Sequence, residues 1–173
     1  MEEIKLLSDD VIEQIKDFNR WYLTEEQESL IDKLISDKEL KKRYKEFGLC
    51  KECKQPKTRL YWCRMCNCKR FQQNFKNWTS GNDNIDKFIQ NVQLKAKNKN
   101  EVLEWMEHDR FKNVEYLVKG GFGTVFKGIW IDGPIDKWDF INERFKREGK
   151  TEVALKCLHN SQNITAEFLR EVR

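Results

Sequence analysis

The amino-acid sequence predicts an α+β protein in which a helical first part and a small cysteine knuckle precede a partial antiparallel sheet. Apolar residues recur at helical spacing before position 48, and four cysteines then form two Cys-x-x-Cys pairs. Short strand-like runs punctuated by glycine follow position 111. We therefore divide the 173 residues into a helical segment (1–47), a cysteine knuckle (48–70), a helical linker (71–110) and a partial sheet domain (111–173).

The helical segment is expected to span about residues 8–47. Thr24 followed three residues later by Gln27 has the pattern of a capping box, in which each side chain satisfies a free backbone amide at the helix start. Gly48 is expected to end the segment. A row of apolar residues behind the cap predicts helices that cover a neighbouring core: Leu30, Ile31, Leu34 and Ile35.

The cysteine knuckle has the pattern of a metal site. Cys50 and Cys53 form one Cys-x-x-Cys pair. Cys63 and Cys66 form the second pair after nine intervening residues. Two such pairs supply the tetrahedral four-sulfur set that structural zinc prefers, so we predict structural zinc as a cofactor. Cys68 is an alternative to Cys66 as the fourth ligand, and unbound thiols or a redox pair remain alternatives to zinc.

Basic residues concentrate around these cysteines. Between Lys38 and Arg70 there are 12 lysines and arginines against 3 acidic residues. Together with Tyr61 and Trp62, this block allows a nucleic-acid-binding interpretation, with cations for phosphates and rings for stacking. A core role for Trp62 and a solvated lysine face explain the same residues more simply, so we expect a protein partner rather than nucleic acid.

The linker is expected to contain a turn at 79–83 and then a short amphipathic helix. Four apolar residues at helical spacing indicate that helix: Ile85, Phe88, Ile89 and Val92. Beyond the linker, strands are predicted at 114–119, 124–131 and 152–158, with a glycine turn at 120–123. In the connection at 132–150, Trp138, Ile141 and Phe145 are predicted to line one face of a helix. A final helix is expected to start at Asn163, and Cys157 is expected to be a small buried strand residue.

Composition narrows the class of protein. Charged residues make up 36% of the chain and hydrophobic ones 39%, and the mean hydropathy is −0.83. No apolar run approaches the roughly 18–20 residues of a membrane helix, and the first residues lack the apolar stretch of a secretory signal. We therefore expect no membrane partner and a cytoplasmic location, with the nucleus as the alternative. In that reducing environment, clustered cysteines are more often metal ligands than disulfide partners.

The glycine turn and a lysine behind it suggest phosphate binding. Without side chains at Gly120, Gly121 and Gly123, backbone amides can approach phosphate oxygens closely. Lys156 ends an apolar run, and a lysine in that position needs an anion beside its ammonium group. Glu171, in the expected final helix, and a bound phosphate together would provide that anion.

In this order and spacing, these residues resemble the amino-terminal lobe of protein kinases, with its glycine loop, V-A-I-K lysine and helix-C glutamate. The resemblance implies that Lys156 holds the α- and β-phosphates of ATP and that Glu171 orients Lys156, with Glu167 as the competing partner. By the same resemblance, three residues lie over the phosphates: Gly120, Phe122 and Gly123. Three others sandwich the adenine: Leu117, Val125 and Ala154.

The resemblance extends upstream of the glycine turn. Trp62-Cys63 follows the first Cys-x-x-Cys, and the runs Phe71-Gln72-Gln73-Asn74-Phe75 and Asn77-Trp78-Thr79-Ser80-Gly81 come after it. This pattern resembles the kinase-like proteins expanded in root-symbiotic (arbuscular mycorrhizal) fungi. In those proteins a cysteine knuckle precedes a kinase domain of the tyrosine-kinase-like group. The resemblance covers most of the chain from Cys50 onward.

Two departures limit what the resemblance implies. Val118 stands where the first glycine of the loop is usual, and its stiff β-branched side chain is expected to weaken nucleotide binding. The 173 residues contain no H-R-D, D-F-G or A-P-E motif. We expect the chain alone to be catalytically incomplete, since these motifs supply the proton acceptor and the magnesium ligand for phosphoryl transfer from ATP to protein hydroxyls. Two alternatives stay open: a zinc-knuckle protein-interaction module with a vestigial kinase lobe, and a zinc-dependent nucleic-acid binder.

Overall fold

The computed structural model describes residues 5–121 and 123–159, and it confirms the α+β class. The described residues form five α-helices: α1 (Asp9–Ile15), α2 (Glu25–Leu34), α3 (Lys38–Phe47), α4 (Arg64–Asn74) and α5 (Asp83–Lys95). They form five strands: β1 (Phe111–Lys119), β2 (Gly123–Trp130), β3 (Ile135–Asp139), β4 (Arg144–Arg147) and β5 (Thr151–Leu158). Short 3₁₀ turns lie at Phe75–Asn77, Lys99–Glu101 and His108–Arg110. None of the described helices is long and apolar enough to cross a membrane.

The ends of the first helices follow from local hydrogen bonds. The Gln27 amide donates to the Thr24 hydroxyl, and the Thr24 amide donates to the Gln27 side chain, each at 3.2 Å, which confirms the capping box. Asp37 caps α3 by accepting from two backbone amides at 2.9 and 3.0 Å. Gly48 ends α3 as predicted, with a φ of 67° that favours glycine.

A first core joins the helical segment to the cysteine knuckle. Its fully buried side chains include Ile15, Ile31, Ile35 and Tyr44. The Tyr44 hydroxyl donates to the Ile15 carbonyl at 2.9 Å, and burial raises the pKa of Tyr44 to about 12. From the knuckle, the buried Gln55 amide donates to the Leu7 carbonyl at 3.0 Å and accepts from the Leu7 amide at 2.8 Å. The two segments therefore share one packed unit.

The predicted strands before and after the glycine turn are confirmed as one antiparallel sheet in the order β1-β2-β5. Between β2 and β5, the predicted helix is wrong, because β3 and β4 form a hairpin there. Trp138 lies opposite Phe145 across the hairpin, and their ring centroids are 5.1 Å apart. Asp139 accepts from the amides of Ile141 and Asn142 and so forms the turn. Ile141 lies in that turn and its side chain is exposed. The helical spacing of Trp138, Ile141 and Phe145 therefore does not reflect a shared helix face.

A second core lies under the hairpin. Trp62 is 2% exposed, and its indole nitrogen donates to the Ala96 carbonyl at 3.2 Å. The Phe145 ring stacks on Phe71, with centroids 5.0 Å apart, and lies 6.2 Å from the Trp62 ring. Ile135 of β3 is buried in the same cluster. The hairpin that interrupts the sheet therefore packs against α4 and the cysteine knuckle.

Candidate metal centre

Four cysteine sulfurs converge at one point between the loop after α3 and the start of α4. The Sγ atoms of Cys50, Cys53, Cys63 and Cys66 all lie within 4.8 Å of one another. Two of the separations are 3.7 Å (Cys50 to Cys66) and 3.5 Å (Cys53 to Cys63). A tetrahedral zinc with bonds of about 2.3 Å places its sulfur ligands about 3.8 Å apart, whereas a disulfide needs about 2.05 Å. The donor set therefore fits a zinc ion, and all four thiols are free.

Local backbone structure holds each pair of ligands. In the first pair, the Cys50 amide donates to the Gln55 carbonyl at 2.8 Å, and the Lys54 amide donates to the Cys50 carbonyl at 3.0 Å. Lys54 has a φ of 59°, which turns the chain back on itself. In the second pair, Cys63 is the N-cap residue of α4, and Cys66 lies in its first turn. The partial positive charge of a helix N-terminus favours thiolates there.

The electrostatics of the cluster favour a bound cation. The neighbouring thiols of Cys53 and then Cys63 lower the pKa of the Cys50 thiol. The hydrogen bond to Cys50 raises the pKa of Cys63. Burial, followed by the charge on Cys50, raises the pKa of Cys66. One thiolate therefore opposes ionisation of its neighbours, and a coordinated cation would remove that opposition.

The structure decides between the two candidate fourth ligands. Cys66 lies in the cluster, whereas the Cys68 sulfur donates to the Leu94 carbonyl at 2.9 Å and is not one of the grouped atoms. Burial raises the pKa of the Cys68 thiol, as expected for a thiol that remains protonated. Cys157 lies on β5, but the prediction that it is buried is wrong: its side chain is exposed because the described residues leave that part of the sheet uncovered.

Backbone register brings part of the predicted nucleotide site together. Val125 lies directly opposite Lys156, and Ala154 lies two residues earlier on β5. Since side chains alternate along a strand and opposed residues share a face, Val125, Ala154 and Lys156 lie on one face of the sheet. Lys156 and Ala154 are exposed.

The glycine turn lies at the end of this face. The Gly120 amide donates to the Gly123 carbonyl at 2.8 Å and so closes the turn. A Cβ at Gly123 would lie 2.5 Å from the Cys157 carbonyl oxygen, so that position requires glycine. Leu117 lies in the register irregularity between Tyr116 and Val118 and is about half exposed. Four residues of the predicted site and final helix lie outside the described residues: Phe122, Asn163, Glu167 and Glu171.

Sequence reasoning missed a groove beside the cysteine cluster. It has a volume of about 580 Å³, and its lining includes Trp21, Tyr61 and Lys137. These residues come from the loop after α1, from the cysteine knuckle and from the β3–β4 hairpin. The basic block and Tyr61 are visible in the sequence, but no local motif links three segments that are this far apart in the chain, so the groove itself could not be predicted.

Comparison with models of known protein families gives no match for this sequence. Searches of curated proteins and of solved structures give no match either. Functional proposals for this chain therefore depend on its own residues and geometry.

Proposed function

We propose that the β1-β2-β5 sheet is the ATP-binding part of a protein-kinase amino-terminal lobe. The observation that supports this most directly is the register that sets Lys156 opposite Val125, next to the turn at Gly120 and Gly123. In protein kinases a glycine-rich loop covers the phosphates, and the phosphate-binding lysine is on the third strand. Here the glycine turn joins β1 to β2, and Lys156 is on the next strand of the sheet.

The exposed face of this sheet has the chemistry that a nucleotide needs. Val125 and Ala154 offer apolar surface for a base, and the Lys156 ammonium lies within the same face. Backbone amides in the glycine turn are donors for phosphate oxygens. Val118 lies opposite Val125 in place of the usual first glycine. We expect this branched side chain to lower ATP affinity without moving ATP to a different part of the sheet.

Phosphoryl transfer requires more than this sheet. Magnesium ligation and proton acceptance belong to the D-F-G and H-R-D motifs, which the 173 residues do not contain. The proposal for this chain is therefore ATP binding. Transfer of the γ-phosphate to a protein hydroxyl would be the activity of a complete kinase that contains this segment.

The cysteine cluster would hold a structural zinc ion, because four thiolate ligands leave no open coordination position for a reaction. Zinc would fix the start of α4 against the loop after α3. Since Trp62 and Phe71 of this unit pack against Phe145, zinc would also support the hairpin inserted in the sheet.

Titration of the zinc-loaded chain with ATP, followed by calorimetry, tests the proposal. We expect Lys156→Met to lower ATP affinity at least about tenfold, since it removes the cation for the phosphates. Lys112→Met is the matched control, because Lys112 is exposed on the same sheet but pairs with Ile129 at its other end. ATP binding that is absent, or that is unchanged in Lys156→Met, would contradict the proposal and favour an interaction module.

A further inference from the structure

The groove beside the cysteine cluster is strongly basic. Five of its lining side chains are cationic: Arg20, Lys51, Lys57, Arg70 and Lys137. No aspartate or glutamate lines it among the described residues. Arg70 forms an ion pair with Glu52, but Lys51 and Lys137 have no carboxylate partner within the described part of the chain. Lys51 and Lys137 therefore present positive charge without a paired carboxylate, which favours an anionic occupant.

Exposed aromatic rings accompany these cations. Trp21 is 69% exposed and Tyr61 is 68% exposed, although side chains of this size are usually well covered in folded proteins. The Arg20 guanidinium lies 4.0 Å from the Trp21 ring centroid, and the Lys137 ammonium lies 5.1 Å from that of Tyr61. Each ring thus has a cation beside it and most of its surface open to solvent.

A buried amide supports one of the cations in the wall of the groove. Asn67 is buried and lines the same groove, and its Oδ1 accepts from Arg70 at 2.8 Å. Its Nδ2 has no hydrogen-bond partner in the described structure. This Nδ2 has almost no accessible surface, so the contribution of Asn67 to the groove is its bond to Arg70, which fixes that guanidinium in the groove wall.

We propose that this groove binds single-stranded nucleic acid, with Trp21 and Tyr61 stacking on bases while Lys51, Lys57 and Lys137 contact phosphates. Single-stranded nucleic acids are bound by surfaces that combine open aromatic rings with a cationic groove. An acidic peptide would use the cations but would leave the two exposed rings without a planar partner. The exposed rings therefore favour single-stranded nucleic acid over an acidic peptide.

This inference is independent of ATP binding. It uses residues of the cysteine knuckle, the loop after α1 and the β3–β4 hairpin, and none of the proposed ATP site. Lys156→Met should therefore leave nucleic-acid affinity unchanged. If Lys156→Met weakened nucleic-acid binding as much as a groove substitution, the ligand would lie on the sheet and the groove proposal would be overturned.

Fluorescence anisotropy of a fluorescein-labelled U12 RNA, titrated with the zinc-loaded full chain at low salt, tests the groove directly. We expect Trp21→Ala and Tyr61→Ala each to weaken binding about tenfold, because each removes one base-stacking surface. Tyr22→Ala is the matched control: Tyr22 is the next residue, is 81% exposed and does not line the groove. All three side chains are exposed, so the variants should remain folded.

Charge-reversal variants distinguish binding in the groove from general electrostatic attraction to the basic chain. Lys137→Glu should lower affinity for U12 and reduce the dependence of binding on salt concentration. Lys87→Glu makes the same charge change at an exposed position of α5 outside the groove and should have little effect. Equal losses in these two variants, or binding of neither U12 nor the equivalent dT12 strand, would overturn the proposal.

Three other ligands test which class of polymer the groove binds. A labelled dT12 strand distinguishes DNA from RNA, and binding of either strand supports the proposal. A 12-base-pair duplex should bind more weakly than U12, because paired bases cannot stack on Trp21 and Tyr61. A glutamate-rich dodecapeptide that binds as tightly as U12, or a duplex that does so, would overturn the proposal in favour of an acidic protein segment or nonspecific polyanion binding.

Discussion

Most of the buried apolar side chains among the described residues belong to residues 5–103, whereas β1, β2 and β5 leave much of their surface exposed. The first core places Ile15, Ile31 and Tyr44 out of contact with solvent. In β1 every side chain after Phe111 is exposed, and β5 contains no buried residue. Side-chain packing therefore stabilises the helical and cysteine-rich part, and backbone pairing accounts for most of the contact within the sheet.

This difference in side-chain packing indicates how each region would respond to a bound ligand. A metal ion would reinforce a part that already has a core, and nucleotide would contact a part that has little core of its own. Anything that binds only the folded sheet stabilises it by mass action. We therefore expect metal and nucleotide to act mainly on different regions, with the packing of the β3–β4 hairpin on Phe71 as the contact between them.

The largest expected effect is the loss of a cysteine ligand. Cys63→Ala should lower zinc affinity by more than about a hundredfold, since even partners behind a ligand commonly contribute ten- to a hundredfold. Chelation of zinc should likewise unfold the start of α4 and the loop after α3. Hydrogen exchange should then show lost protection at these residues and retained protection between β1 and β2.

Cys68→Ser is the control for this experiment, because its sulfur lies outside the cluster. It should keep one zinc per chain by elemental analysis. Loss of protection throughout the sheet on chelation would show that the two regions unfold as one.

The next largest effect should come from the contact that joins the two regions. Phe145→Ala removes a half-buried ring that stacks on Phe71 and should lower the free energy of unfolding by about 2 kcal/mol. Phe140→Ala changes an exposed ring in the same hairpin and should alter stability by less than about 0.5 kcal/mol. Urea unfolding curves followed by tryptophan fluorescence measure both. Equal stability of the two variants would show that the hairpin does not couple the regions.

A third substitution affects the sheet alone. Gly123→Ala places a methyl group against the Cys157 carbonyl and should destabilise the sheet by about 1–3 kcal/mol. Gly121→Ala is the matched control, because a Cβ there has open space within 4 Å. Thermal unfolding followed by far-UV circular dichroism distinguishes the two variants. Similar melting temperatures would mean that the end of β2 moves away from β5 easily.

The smallest effect lies in the helical region. Thr24→Ala removes the hydroxyl of the capping box and should lower the free energy of unfolding by about 1 kcal/mol. Thr24→Ser retains the hydroxyl and should change it by only a few tenths of that amount. Urea unfolding monitored at 222 nm resolves a change of this size. A loss in Thr24→Ser equal to that in Thr24→Ala would assign the effect to the methyl group and not to the cap.

Local patterns in the sequence predicted the features that depend on neighbouring residues. The capping box at Thr24, the turn at Gly48 and the pairing of strands across the glycine turn each follow from a few adjacent positions. The cysteine spacing likewise predicted four thiols in one cluster. It could not separate Cys66 from Cys68, because that choice depends on the Leu94 carbonyl, which is more than 20 positions away along the chain.

Features that depend on distant contacts were missed. Trp138 and Phe145 share a face of a hairpin, and a helix would have placed them on one face as well, so their spacing could not distinguish the two structures. The exposure of Cys157 depends on what covers the sheet and not on the residues beside it. The groove requires Trp21, Tyr61 and Lys137 to meet, which only the docked hairpin achieves.

Backbone hydrogen bonds join the two ends of the β3–β4 hairpin, and this affects the expected order of folding. The Gly149 amide donates to the Asp132 carbonyl at 2.9 Å, and the Glu148 amide donates to the Pro134 carbonyl at 3.0 Å. The chain that leaves Trp130 therefore returns to Thr151 through a connection whose two ends are already bound together. Loop-closure entropy grows with the length of flexible chain that must be closed, so early formation of this hairpin shortens the effective loop between β2 and β5. We expect β5 to pair with β2 rapidly, before the aromatic rings of the hairpin pack against the cysteine knuckle.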